Sequence, residues 1–277
     1  MKFKLIFLLF NIVLVVSFLV IYLMPLLVLG WDYTRVFWAN NWFLPLIFVC
    51  IIGVLNAYFA LNWRLFRLLE KEDWNGLVDY LEKQIYSKNR LRKQYIRILI
   101  NGYLVNSRTE EIRRLEAHIR DKKPRILPSF ALLFGIPYLL RNDPAEMESY
   151  FGGALAQRGV SDRPWIEWNH AFSLMLLKRR EEARAKLKGV ADATKEPVLL
   201  LLSIYLLEAF TDSDTELEQT LEHGKNALKR RYSPVAWQKE IESAKENVEV
   251  VVLTKLVQEA TEWLFSFGSA GNAKAVH

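Results

Sequence analysis

The chain has 277 residues, 52% of them hydrophobic, and carries 37 basic against 31 acidic side chains for a net charge of +6. That length holds either one large domain or a membrane segment joined to a domain of about 200 residues. The mean hydropathy of +0.06 averages two unlike parts, because the apolar residues crowd into the first 61 positions. One cysteine, Cys50, excludes an intrachain disulfide framework or a cysteine zinc site and reads as a small apolar side chain.

The N-terminal run from Leu5 to Leu29 carries no charge and is too long for the core of a signal peptide, so it predicts a retained membrane helix over about 5–29, with Pro25 inside it. A short loop, 31–41, rich in Trp and Tyr, suits a membrane interface. A second membrane helix comes next, over about 42–61. No Gly or Pro separates Leu61 from Lys71, so this helix continues as one rod into the first helix of the soluble part. Lys2 and Lys4 at one end, with Arg64 and Arg67 after two crossings, place both termini in the cytoplasm.

From 62 to 228 the sequence repeats itself. Leu77, Ile112, Met147, Ala183 and Leu217 stand 35, 35, 36 and 34 residues apart. Four residues later the column reads Leu81, Glu116, Phe151, Leu187 and Leu221, and nine residues before the first it reads Leu68, Tyr103, Tyr138, Leu174 and Glu208. Each unit resolves into two helices, at about 62–71 and 74–86, 91–105 and 109–120, 127–140 and 144–158, 164–178 and 181–192, and 197–210 and 214–228. Asp73, Ser107, and Asp143 before Pro144 are candidate helix caps. The apolar runs at 126–140 and 198–210 are too short to cross a bilayer and fall on buried helices of the repeat. Residues 229–267 read as a long C-terminal capping helix entered at Ser233 and Pro234, and 268–277 as a disordered tail.

The unit length and two-helix layout resemble the tetratricopeptide repeat (TPR). Gly135, Tyr138, Phe151 and Ala154 of the third unit stand at that family's spacing, and the fourth offers Ala171 and Ala183. The resemblance implies an all-α protein: a two-helix transmembrane hairpin, then a TPR-like solenoid of about five hairpins with a C-terminal capping helix. It implies a mode of use, protein recognition, and no reaction. In layout the chain also resembles bacterial inner-membrane proteins associated with haem synthesis, which implies a two-pass protein of the bacterial cytoplasmic membrane.

No catalytic or metal-binding constellation stands out. The histidines His118, His170, His223 and His277 are scattered, and Gly152-Gly153 lies inside a helical pattern with no phosphate-loop residues after it. The expectation is therefore a scaffold without cofactor or enzymatic activity, which receives a protein partner on the face of the first helices through Arg97, Asn101, Asn169 and His170. The alternative is an assembly subunit held against anionic lipid by Arg64, Arg67, Lys88, Arg90, Arg92 and Lys93. Nucleic acid is not an expected partner, because no nucleic-acid-binding fold accompanies the charge.

Overall fold

The computed structural model describes residues 2–211 and 215–265, and the tail expected at 268–277 lies outside them. The chain is all-α, with no strand among the described residues, and two apolar helices lead it. It divides into two compact units, Met1–Ser107 and Arg108–His277. The boundary differs from the one at residue 61 expected from composition. The physical reason is that no break exists there: the second apolar helix runs unbroken from Phe43 to Glu70.

In the first unit, α1 (Lys2–Asn40) is interrupted at Gly30, whose φ of 81° and ψ of 178° belong to a region that only glycine occupies without strain. The Tyr22 and Trp38 rings lie 4.2 Å apart. A straight helix would separate residues at that spacing by about 24 Å, so the segment after Gly30 doubles back along the one before it. The expected loop at 31–41 is thus corrected to a helix. Gly30 is the point where the chain can reverse, and the aromatic residues beyond it find a surface to pack on.

After a turn at Asn41 and Trp42, α2 (Phe43–Glu70) runs antiparallel to the part of α1 before Gly30. Phe18 stacks on Phe48 at 4.0 Å, Asn56 Nδ2 donates to Asn11 Oδ1 at 2.8 Å, Phe7 meets Phe59 at 4.6 Å, and Lys4 sits 5.6 Å from the Trp63 ring. Lys4 therefore shares the end of the hairpin at which Arg64 emerges.

The unit is completed by α3 (Trp74–Glu82), a π-helical turn at Lys83–Ser87, and α4 (Lys93–Val105). Asp73 caps α3 by accepting from Gly76 N at 2.9 Å. Leu65, Leu77, Leu81, Ile96, Leu99 and Tyr103 form the core here.

The second unit holds α5 (Thr109–Lys122), α6 (Ala131–Arg141), α7 (Pro144–Leu155), α8 (Arg163–Leu176), α9 (Arg180–Ala193), α10 (Pro197–Leu207), α11 (Thr215–Arg231), α12 (Pro234–Ala244), α13 (Val248–Val252) and α14 (Thr254–Phe265). From α5 to α11 each helix packs on the next, and α8 also touches α6 and α10. The third unit's first helix is shorter than expected, because Pro124 and Pro128 hold Pro124–Phe130 in a 3₁₀ segment ahead of α6. Asp143 caps α7 by accepting from Ala145 N and Glu146 N at 3.0 and 3.1 Å.

The spacing of the apolar columns recurs in the backbone as well as in the burial pattern. Every member of the first two apolar columns is buried, Glu116 included. Glu72, Ser107, Asn142 and Lys178 share a left-handed conformation, with φ of 52°, 56°, 53° and 61°, and they stand 35, 35 and 36 residues apart. Each follows the end of a helix, and its N–H returns to the carbonyl three residues back. Asp73 and Arg179 N–H return five residues back, to Leu68 and Leu174, as in a Schellman stop. Ser107 is thus a left-handed turn residue after α4 and not a helix cap.

The expected single capping helix over 229–267 is three helices. A run of valines at 248 and 250–252 is poor in helix propensity, and the chain breaks on both sides of it. These helices do more than close an end: α14 packs on α10 and α11, while α13 reaches α6. Trp237 in α12 donates to Thr261 Oγ1 at 3.1 Å, and Trp263 packs edge-on against Tyr205 of α10. The chain's own C-terminal segment therefore covers part of the face that first helices α6 and α10 present.

Candidate functional site

The residues expected to receive a partner do not form one site. Arg97 is exposed and Asn101 half-buried on α4, in the first unit. Asn169 has 0% exposure, its Nδ2 donating to Trp165 O at 3.0 Å while Oδ1 finds no hydrogen-bond partner among the described residues. A side chain with no exposed surface cannot meet a partner, so Asn169 is a core residue, which corrects the expectation. His170 is buried as well: Nε2 stands 3.5 Å from Glu148 Oε1, which also accepts from Arg179 at 3.1 Å, and Nδ1 has no hydrogen-bond partner among the described residues. Burial, with Lys186 nearby, holds the imidazole below its usual range.

Of the basic residues expected to face lipid, Arg64, Arg67, Lys88, Arg90, Arg92 and Lys93 are all exposed. Arg64 lies 5.1 Å from the Tyr80 ring and Arg92 5.6 Å from that of Tyr95. Among the basic residues of α5, Arg114 pairs with Glu111 at 2.7 Å, Lys122 with Asp121 at 3.0 Å, and Arg120 with Glu116.

A trough that the residue types alone did not single out lies between α5 and α7. Its first hollow, about 280 Å³, is lined by Glu116 and Arg120 of α5, by Ser149, Tyr150 and Gly153 of α7 and Gln157 beyond it, over Leu127, Ala131 and Phe134. A second, about 470 Å³, is lined by Arg113 with Tyr138 and Glu146, and Ser149 and Tyr150 line both. Arg113, Glu116 and Arg120 succeed one another at helical spacing on one face of α5.

The walls are held by packing. Gly135 allows Phe151 in so close that a Cβ there would stand 2.5 Å from its ring. Tyr150 donates to Ala131 O at 2.8 Å and stacks on Tyr138 at 4.5 Å, and Arg113 lies 5.3 Å from the Tyr138 ring. At Gly153 nothing among the described residues stands within 4 Å of where a Cβ would be, which keeps the hollow open.

Glu116 is the feature that packing does not explain. It occupies the column where the other repeats place Leu or Phe, and it is 7% exposed. Burial pushes its carboxyl above the usual range, against the hydrogen bond and charge of Arg120 and the charge of Arg113. Arg120 is its hydrogen-bond partner, yet the Arg120 side chain is 63% exposed. The signal in the sequence was an acidic residue in a column whose other members are all Leu or Phe. No group of three or more His, Cys, Asp or Glu able to hold a metal ion occurs among the described residues.

A family described as "Uncharacterised Treponema protein" matches residues 111–266, more than half of the chain. The chain belongs to that family. An "Uncharacterized protein" of Treponema pallidum (strain Nichols) is 28% identical over 260 residues, spanning 89% of this chain and 81% of that one. No solved structure matches. The family segment begins at the edge of the second structural unit and contains both walls of the trough.

Proposed function

We propose that the chain is a two-pass, membrane-anchored scaffold of TPR-like solenoid type, which binds a protein partner at the cytoplasmic face of a bacterial inner membrane. The observation that supports this most directly is α2, one helix that is apolar and exposed in its first half and part of a helical-repeat core at Leu65. Such a rod ties the repeats to the bilayer. The recurrence of buried columns and left-handed turns supports the repeat reading, and the open trough between α5 and α7 supplies a surface of mixed charge and aromatic character.

The test uses the full chain in its native membrane with a photoreactive side chain at Ser149. A discrete protein adduct that is absent when the same group replaces an exposed residue such as Lys255 supports the scaffold; lipid adducts alone at Ser149 overturn it. A topology reporter between Asn41 and Trp42 is expected outside the cytoplasm, and one at the C-terminus inside.

A second reading rests on a separate observation, the run of exposed basic residues Lys88, Arg90, Arg92, Lys93 and Arg97 in the unit that carries the membrane hairpin. Here the cluster touches anionic headgroups. The same photoreactive group at Lys88 would then yield adducts to anionic lipid, and none if the cluster is simply solvated.

A further inference from the structure

The geometry points to the hollow between α5 and α7 as a socket for a basic side chain of a partner protein, with Glu116 as its counter-ion and Arg120 as an internal placeholder that the incoming cation displaces. The inference rests on the scaffold reading and names the chemistry of its recognition.

Glu116 is costly where it stands. A carboxylate at 7% exposure, in a column that is otherwise Leu or Phe, is a group the fold would do better without. It lines an open hollow, and the other charged residue lining that hollow is Arg120. Arg120 lies one turn further along the same helix, and most of its side chain is in solvent. Such a side chain can satisfy the carboxylate when the hollow is empty and swing into water when another cation arrives, because its own charge stays hydrated in both positions.

The rest of the lining fits the stem of a lysine or arginine. Leu127, Ala131, Phe134 and Ala154 offer apolar surface to the methylenes, Gly153 leaves the entrance clear, and Ser149 and Gln157 lie among the lining with oxygens for the remaining donors. The Tyr150 hydroxyl proton is already given to Ala131 O, so Tyr150 does not compete as a donor for Glu116. An anionic guest would meet the buried carboxylate and is disfavoured.

The test uses the full chain in lipid nanodiscs and two probes, Nα-acetyl-lysine amide and its uncharged counterpart Nα-acetyl-norleucine amide, with binding read by titration. The lysine probe is expected to bind wild type more tightly than the norleucine probe by about tenfold. Glu116→Leu should lose that preference while melting no lower than wild type, since Leu stands at three of the other four positions of the same column. Glu116→Gln should lose it without a change of shape. Arg120→Ala should strengthen lysine binding, because the placeholder is gone.

Equal binding of the two probes, or lysine binding unchanged in Glu116→Gln, overturns the socket. If at the same time the Ser149 adduct to a protein persists, the scaffold stands and only its proposed chemistry falls. If that adduct is also missing, the scaffold reading itself has failed.

Discussion

The first half of α2 and the whole of α10 are written in the same residues, yet they solve opposite problems. In α10, eight of eleven residues are buried, because α9, α11 and α14 all pack on it. Along α2, Leu46, Val49, Ile51, Val54 and Leu61 are exposed to an extent that water does not tolerate in a contiguous surface. Length separates them: α10 spans about 16 Å, half of a bilayer core, whereas α2 is long enough to cross. An apolar helix thus declares only that it must be covered, and its length says by what.

The largest expected effect breaks this contrast directly. Leu202→Asp buries an unpaired charge at a position with 0% exposure in α10, and should cost on the order of 4 kcal/mol or more, abolishing the cooperative melt of the repeat region. Val54→Asp, at a position 69% exposed, should leave that melt in place and instead weaken membrane insertion by roughly 3 kcal/mol, read by the yield of inserted protein. If Val54→Asp inserts as well as wild type, the outer surface of α2 does not face lipid.

The same contrast separates what a sequence carries openly from what it hides. The continuous rod from Phe43 to Glu70, the buried columns and the burial of 198–210 were legible, because each comes from period and length, which a sequence carries explicitly. The fold-back at Gly30 was not, since one glycine in an apolar run looks the same whether the chain passes straight through or reverses. Nor was the route of α12 to α14 over α6 and α10, for no local pattern says which distant face a cap will choose. At the candidate site, Glu116 was visible as an exception in its column, but the hollow it lines depends on Gly153 and on Ser149 and Tyr150 of the facing helix. Asn169 and His170 misled because a polar residue on a mostly apolar helix marks a surface only if that helix has an open side, and both are buried on α8.

A smaller effect tests the reversal at the tip of α1. Gly30→Ala forces a φ of 81° on a residue with a Cβ, at a cost of about 1–3 kcal/mol. Nothing among the described residues stands within 4 Å of the new methyl, so the penalty is conformational and not a clash. The variant should straighten this region and part Trp38 from Tyr22, seen as a shift in tryptophan emission. Unchanged emission would mean that the backbone at Gly30 is not held in this conformation.

Within the second unit, Glu116 gives a pH dependence of definite sign. Its carboxyl is held above the ordinary value of 4.5, first by burial and against the pull of Arg120 and then Arg113; Tyr138 and Tyr150, both pushed above their usual range, stand beside it. The folded state therefore holds this proton more tightly than the unfolded chain does. The resulting stability is complete below 4.5 and is lost as pH rises through the higher folded-state value. Glu116→Gln keeps the shape and removes the titration, so the melting temperature of the variant should fall less than that of wild type over this range. Parallel curves would show that Glu116 ionises as freely as an exposed glutamate.

The smallest effect concerns α1 and α2, whose apolar surfaces are largely exposed among the described residues and whose pairing depends on few contacts. Asn56 Nδ2 donates to Asn11 Oδ1 at 2.8 Å and to Ile52 O at 3.0 Å, and Asn11 Nδ2 donates to Phe7 O at 2.9 Å, so this cross-helix bond engages both amides. In hydrocarbon such a bond is worth only about 0.6–1.7 kcal/mol, because a separated helix finds partners for its amide within its own backbone. Asn56→Leu should weaken the hairpin by that amount and Asn11→Leu likewise. The double variant should cost less than the two singles together, since neither change then leaves an amide oxygen without its donor. Measured as separation of the two helices in nanodiscs, strict additivity would mean that the amides do not meet, and the stacked Phe18 and Phe48 rings would then be what holds α1 to α2.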